Sequence, residues 1–185
     1  MVGAPRLIKS VVLVGLMGAG KSSVGLRLAR ALGADFVDSD DEIVEAANMS
    51  IAEIFERFGE PHFRSGERRV ISRLIAGRPS VIATGGGAFM DAETRATIKD
   101  GAVSVWLNAS LDVLVSRTAG RTHRPILNAG DPREILSGLI QQRYPVYSLA
   151  DISVESRENQ THEEMADRIV SALDAHGGVI EWENA

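Results

Sequence analysis

The sequence predicts an α/β fold, a five-stranded parallel sheet covered by helices on both faces, and three observations predict it. Gly15-Leu16-Met17-Gly18-Ala19-Gly20-Lys21-Ser22 lies between an apolar run, Val11-Val12-Leu13-Val14, and a segment whose Val24, Leu28, Ala31 and Leu32 share one helical face. Five short apolar runs alternate with segments of helical period. The residues that carry chemistry follow the C-terminal ends of those runs, where open parallel sheets bind their ligands. Parallel neighbours are joined by right-handed helical crossovers, so helices cover the sheet.

The glycine-rich stretch matches Gly, four open positions, Gly, Lys, then Ser or Thr, in the strand–loop–helix context that gives this pattern its meaning. A triphosphate needs several N–H donors close together, and glycines let the backbone wrap that tightly. The helix behind the loop points its positive end at the anion. Lys21 is placed to reach the β- and γ-phosphates, and the Ser22 hydroxyl to hold Mg²⁺.

A length of 185 residues sets the expectation of one domain over 1–185 with a sizeable core. Twenty basic against 25 acidic side chains give a formal charge of −5, which argues against nucleic acid or an anionic membrane as partner. The absence of cysteine excludes disulfides, thiolate catalysis and cysteine metal sites. Residues Met1 to Ser10 do not resemble a secretory signal, and no apolar run is long enough to span a bilayer. The default expectation is a cytoplasmic protein, and a monomer.

After the first helix, Gly33 is a stop and Ala34-Asp35-Phe36-Val37 a second strand. Asp38 and Asp40 lie just past its end, where a phosphate loop implies a metal and an acceptor, whereas Asp41 and Glu42 suit an acidic helix start. Ile43, Val44 and Ala47 suit a short helix. Ser50-Ile51-Ala52-Glu53 reads as a capping box, with Met49 and Ile54 as its staple. Ile51, Ile54, Phe55 and Phe58 form an apolar face read as core, and Gly59 ends the helix. Phe63-Arg64-Ser65-Gly66-Glu67 opens the next, which runs to Gly77. Arg64 stands at the wrong end for the helix dipole. Either it awaits an anion from elsewhere, or it makes only a surface i, i+3 pair with Glu67.

Ser80-Val81-Ile82-Ala83 is the third strand, followed by Thr84-Gly85-Gly86-Gly87. Many phosphate-loop proteins place a metal-supporting Asp at this strand end. Here the position is Thr84, which leaves Asp38 as the nearest candidate. The three glycines expose backbone N–H groups suited to a polar ligand. Asp91 caps a helix through Ile98, Ala102 to Leu107 is the fourth strand, and Ser110 caps the next helix. The segment from Arg117 to Gly130 has no clear period and holds Arg117, Arg121 and Arg124. An arginine-bearing loop near a triphosphate reads as a lid, closing over the nucleotide and bringing a guanidinium to the transferring group. Asp131-Pro132-Arg133-Glu134 starts a helix that carries Arg143, Ile152 to Glu155 is the fifth strand, and Thr161 caps a final helix ended by Gly177-Gly178. A loose tail of about 178–185 follows. His62, His123, His162 and His176 show no metal-ligand spacing.

From about Val11 to Leu173 this set resembles the shikimate kinase family. The phosphate loop alone is common to many enzymes. Its combination with Asp38-Ser39-Asp40, the Arg64 helix start, Gly85-Gly86-Gly87, Arg124-Pro125-Ile126-Leu127, and Arg143 ahead of Pro145 and Tyr147 is much more specific. The resemblance implies a P-loop kinase, nucleoside-monophosphate-kinase-like, with a substrate-binding helical region over about 40–77 and a lid over about 117–131. It implies ATP- and Mg²⁺-dependent phosphorylation of the 3-hydroxyl of shikimate, a step toward aromatic amino acids. Gly18, Ala19, Gly20, Lys21, Ser22 and Ser23 then hold the nucleotide with Arg124, and Ser22 and Asp38 serve Mg²⁺. Asp40 meets the acceptor hydroxyl, Arg64 and Arg143 hold the substrate carboxylate, and Gly85, Gly86 and Gly87 line the substrate. Lys21, Asp40 and Arg124 are the expected catalytic set. Two alternatives stand beside this reading: another small-metabolite kinase, such as a gluconate kinase, or a nucleotide-binding module without acceptor chemistry.

Overall fold

The computed structural model describes residues 4–119 and 130–182. Its centre is β2 (Ser10–Val14), buried along its whole length, which is why the run is continuously apolar rather than alternating. β2 pairs in parallel with β4 (Ser80–Ala83), Val12 opposite Ile82, and with β5 (Ala102–Ala109), Val12 opposite Ser104. β3 (Asp35–Asp38) extends the sheet beyond β4, and β6 (Ile152–Ser156) beyond β5. The resulting order, β3-β4-β2-β5-β6, is the expected five-stranded parallel sheet flanked by helices.

α1 (Lys21–Ala31) packs on α7 (His162–His176), burying Val24, Gly25, Leu28 and Ala29. Gly25 is required by close approach: a Cβ there would lie 2.5 Å from Cε2 of Phe36 on β3. α4 (Ala92–Gly101) packs on β5 and on α3 (Ile51–Ala76), and α5 (Leu111–Thr118) on α6 (Pro132–Tyr147). Ser50 and Thr161 form full capping boxes, and Asp91, Ser110 and Asp131 cap α4, α5 and α6 through their side chains. Pro132 opens α6, where its missing N–H costs nothing.

Several boundaries differ from expectation. α2 (Ser39–Ala47) takes in Ser39 and Asp40 ahead of the acidic start expected at Asp41 and Glu42, because the Asp38 carboxylate caps it by accepting from the Asp40 N–H at 3.0 Å. Within α3 the first helix ends at Gly59 as expected, where the backbone is non-helical (φ 78°), but the second follows at once, with Pro61 in its opening turn, rather than from Phe63. Phe55 and Phe58 are exposed rather than core, because the small apolar cluster between α2 and α3 is already filled by Ile43, Ile54, Phe63 and Val70. The loose tail expected from 178 is corrected through residue 182. β7 (Ile180–Trp182) pairs antiparallel with β1 (Pro5–Leu7), and Val179 is fully buried. Neither short strand has a pattern long enough to be read from the sequence. Among the described residues, no helix is long and apolar enough to cross a membrane.

Candidate active site

Because the five strands run parallel, their C-terminal ends share one edge of the sheet. A cleft of about 680 Å³ opens there, lined by the loop after β2, the end of β3, the turn after β4, and side chains from α3, α5, α6 and α7.

The loop after β2 leads into α1 through Gly18 (φ 84°) and Gly20 (φ 96°), left-handed conformations that favour glycine. Ala19 is buried, and its N–H donates to the Leu16 carbonyl at 3.1 Å. Lys21 stands at the first turn of α1 and folds over the loop, its Nζ donating to Gly15 O at 2.7 Å and Leu16 O at 3.1 Å. Gly18, Gly20, Lys21, Ser22 and Ser23 all line the cleft. Ser22 Oγ donates to Asp38 Oδ2 at 3.2 Å. A hydroxyl and a carboxylate thus meet at the positive end of a helix, and both are hard oxygen ligands. Mg²⁺ commonly takes one or two protein oxygens and completes its shell with phosphate and water, so this pair fits it.

Across the cleft the turn after β4 carries the three glycines. Each is bare for a different side chain. A Cβ on Gly85 would lie 2.9 Å from Asp40 Oδ1, and one on Gly86 would lie 2.8 Å from Arg143 Nη1. A Cβ on Gly87 would overlap the Arg64 guanidinium. Asp40, Arg143 and Arg64 therefore converge on one short stretch of backbone, from α2, α6 and α3. From the sequence, the glycines suggest only exposed N–H groups. Their steric work, clearing room for protein side chains, comes from contacts distant in sequence.

The electrostatics distinguish these groups. Burial pushes the Asp40 carboxyl up, the neighbouring Asp38 adds to the shift, and Lys21 opposes it. Glu67 is 1% exposed, and its Oε2 accepts from Arg64 Nη1 at 2.6 Å. Burial raises the Glu67 pKa despite that cation, and Oε1 has no hydrogen-bond partner among the described residues. The Arg64–Glu67 contact is thus a half-buried pair inside the cleft rather than a surface pair. Arg64 also lies over the Phe63 ring, 5.2 Å from its centroid.

The sequence places Arg117 in the lid. It belongs instead to the last turn of α5, and Thr118 closes that helix, so the expected lid start at 117 is too early. Its guanidinium donates to Ser156 Oγ at 2.8 Å, Arg157 O at 3.0 Å and Ala19 O at 3.4 Å, tying the phosphate loop to the end of β6. Burial lowers its pKa. Its position at the C-terminal end of a capped helix was the available signal. His162, at the start of α7, also lines the cleft beside Gly20, and no sequence spacing marked it. Arg124 and most of the expected lid lie outside the described residues.

The family model for shikimate kinase matches residues 17–174. A shikimate kinase of Paramagnetospirillum magneticum is 59% identical over 153 residues, covering 83% of this chain and 78% of that protein. One from Rhodopseudomonas palustris is 54% identical over 165 residues, covering 89% of this chain and 81% of the relative. Among solved structures, shikimate kinase from Acinetobacter baumannii in complex with shikimate superposes with a TM-score of 0.83 at 34% identity, over 90% of this chain and 93% of that one. A glycine loop facing a convergent Asp, Arg, Arg set, together with a family match over most of its length, makes this chain a member of the shikimate kinase family.

Proposed function

We propose that this chain transfers the γ-phosphoryl group of ATP to the 3-hydroxyl of shikimate, giving shikimate 3-phosphate and ADP. The observation that carries the reading is the convergence of Asp40, Arg64 and Arg143 on Gly85-Gly86-Gly87, in the same cleft as the phosphate loop. A hydroxy acid needs a base or positioning carboxylate at its hydroxyl and guanidinium groups at its carboxylate, and both kinds of group are present.

The phosphate loop binds the nucleotide through backbone N–H groups from Gly18 to Ser23, with Lys21 turning from the loop carbonyls to the phosphates. Ser22 and Asp38 would hold Mg²⁺, which supplies charge neutralisation to the phosphates when bound. Asp40 aligns the acceptor hydroxyl and takes its proton. Its raised pKa brings it closer to the range in which a base is effective near neutrality. Arg64 and Arg143 clamp the carboxylate, so the acid is held with its hydroxyl toward Asp40. Arg124 is assigned to the phosphates by the sequence resemblance. The helical region of about 40–77 is assigned to the acceptor, and the molecule to the cytoplasm as a monomer.

The test is coupled ADP release with ATP and Mg²⁺ against a panel of acceptors. Turnover with shikimate and little with gluconate is expected. A preference for gluconate, or ATP binding with no transfer to any acceptor, overturns the reading. Arg64→Ala and Arg143→Ala should each weaken shikimate binding by roughly 1.5–3 kcal/mol, the range for a hydrogen bond to a charged group. Titration calorimetry giving wild-type affinity in both removes the clamp.

A further inference from the structure

Tyr147 has no role in the site as described so far. It is fully buried, one helical turn after Arg143 on the same face of α6. Its hydroxyl donates to the Gly86 carbonyl and lies beside the Arg143 guanidinium. We propose that Tyr147 is a positioning residue, whose one hydroxyl fixes both the Arg143 guanidinium and the middle glycine and so sets the acid-binding half of the cleft. The inference rests on the reading of Arg143 as a carboxylate ligand.

The surroundings give the phenol no latitude. The Trp106 and Tyr144 rings stand 6.2 Å and 6.1 Å from that of Tyr147, and the Tyr144 hydroxyl is itself tied to the Ala109 carbonyl at the end of β5. The Tyr147 ring is therefore braced by the sheet rather than by helix α6 alone. A Cβ on Gly86 would lie 2.8 Å from Arg143 Nη1 and 3.6 Å from the Tyr147 hydroxyl, so all three fill one space.

The two arginines are held by different chemistry, with a consequence for binding. Arg64 leans on an anion, Glu67, which already compensates its charge. Among the described residues Arg143 pairs with no carboxylate, and the neutral Tyr147 hydroxyl stands beside it. Burial pushes the Tyr147 pKa up, which keeps the phenol protonated and able to donate to Gly86. Arg143 thus offers its whole charge to an incoming carboxylate while its direction is fixed in advance.

Tyr147→Phe removes only the oxygen. The expected result is a rise in shikimate KM of roughly tenfold or more, the loss of one charge-assisted bond, with the ATP KM unchanged. A melting temperature close to wild type and an unchanged shikimate KM overturn the proposal. Nitrogen-detected NMR of the ligand-free wild-type protein supplies a readout that needs neither the variant nor turnover. Slow rotation of the Arg143 guanidinium, assigned with Arg143→Lys, is expected, and fast rotation overturns the proposal. If wild-type protein does not phosphorylate shikimate, the functional reading fails, while the NMR result still decides whether Tyr147 fixes Arg143.

Discussion

Asp40 is the residue at which function and stability pull apart. A carboxyl whose pKa is raised on folding binds its proton more tightly in the folded state. Its ionisation therefore opposes folding: the penalty is complete above the folded-state pKa and absent below the ordinary aspartate value. Asp40→Asn should lower turnover by about 100- to 10,000-fold, the usual contribution of a positioned base, while calorimetry gives near wild-type ATP affinity. The same variant should melt higher than wild type at pH 7, and the gain should vanish as pH falls below about 4. Asp38 contributes to the shift, so Asp38→Asn should move the acid limb of the kcat profile to lower pH. An unmoved limb would mean that Asp38 does not act on Asp40. That both carboxylates lie past a strand end could be read from the sequence, but their environment could not. Burial of Asp40 and the approach of Lys21 depend on elements brought together by the sheet.

At the scale of elements, what could be read was what is encoded locally. Capping residues act within three positions of themselves, so Ser50, Asp91, Ser110, Asp131 and Thr161 were all legible. The exposure of Phe55 and Phe58 was not, because whether an apolar face is covered depends on how much partner surface the fold supplies. Nor was the reason for Gly25, which the helical pattern alone would allow to be alanine. Its neighbour is Phe36 on β3, and Gly25→Ala should force α1 away from the sheet at a cost of about 1–3 kcal/mol, read by denaturant unfolding. Since α1 carries Lys21 and Ser22 at its first turn, the variant should also raise the KM for ATP more than that for shikimate. Unfolding and ATP kinetics both at wild-type values would refute the close-packing account. The glycine triplet obeys the same logic, since its three partners arrive from three helices.

For the molecule as a whole, parallel strands put the cleft at one edge of the sheet, while β1 of the β1–β7 ribbon leads into the start of β2 at the opposite edge. Deleting the residues after Gly178 removes the buried side chains of Val179 and Ile180 and the Val179 carbonyl that accepts from Ile8 N at 2.9 Å. Loss of those two side chains should lower the melting temperature by about 10 °C and leave the shikimate KM unchanged. A change in KM without a change in melting would place the ribbon's influence in the site instead. The five-stranded sheet could be read because each strand is a buried apolar run, whereas the ribbon's short strands carry no such signature. The pairing of Pro5 with Trp182 brings the two described ends of the chain side by side. A chain trimmed to residues 4–182 could therefore be closed into a ring by a peptide ligase through a short linker. Such a circular form would lose entropy only in its unfolded state, and it should resist heat better than the open chain while the kinase cleft stays as it is.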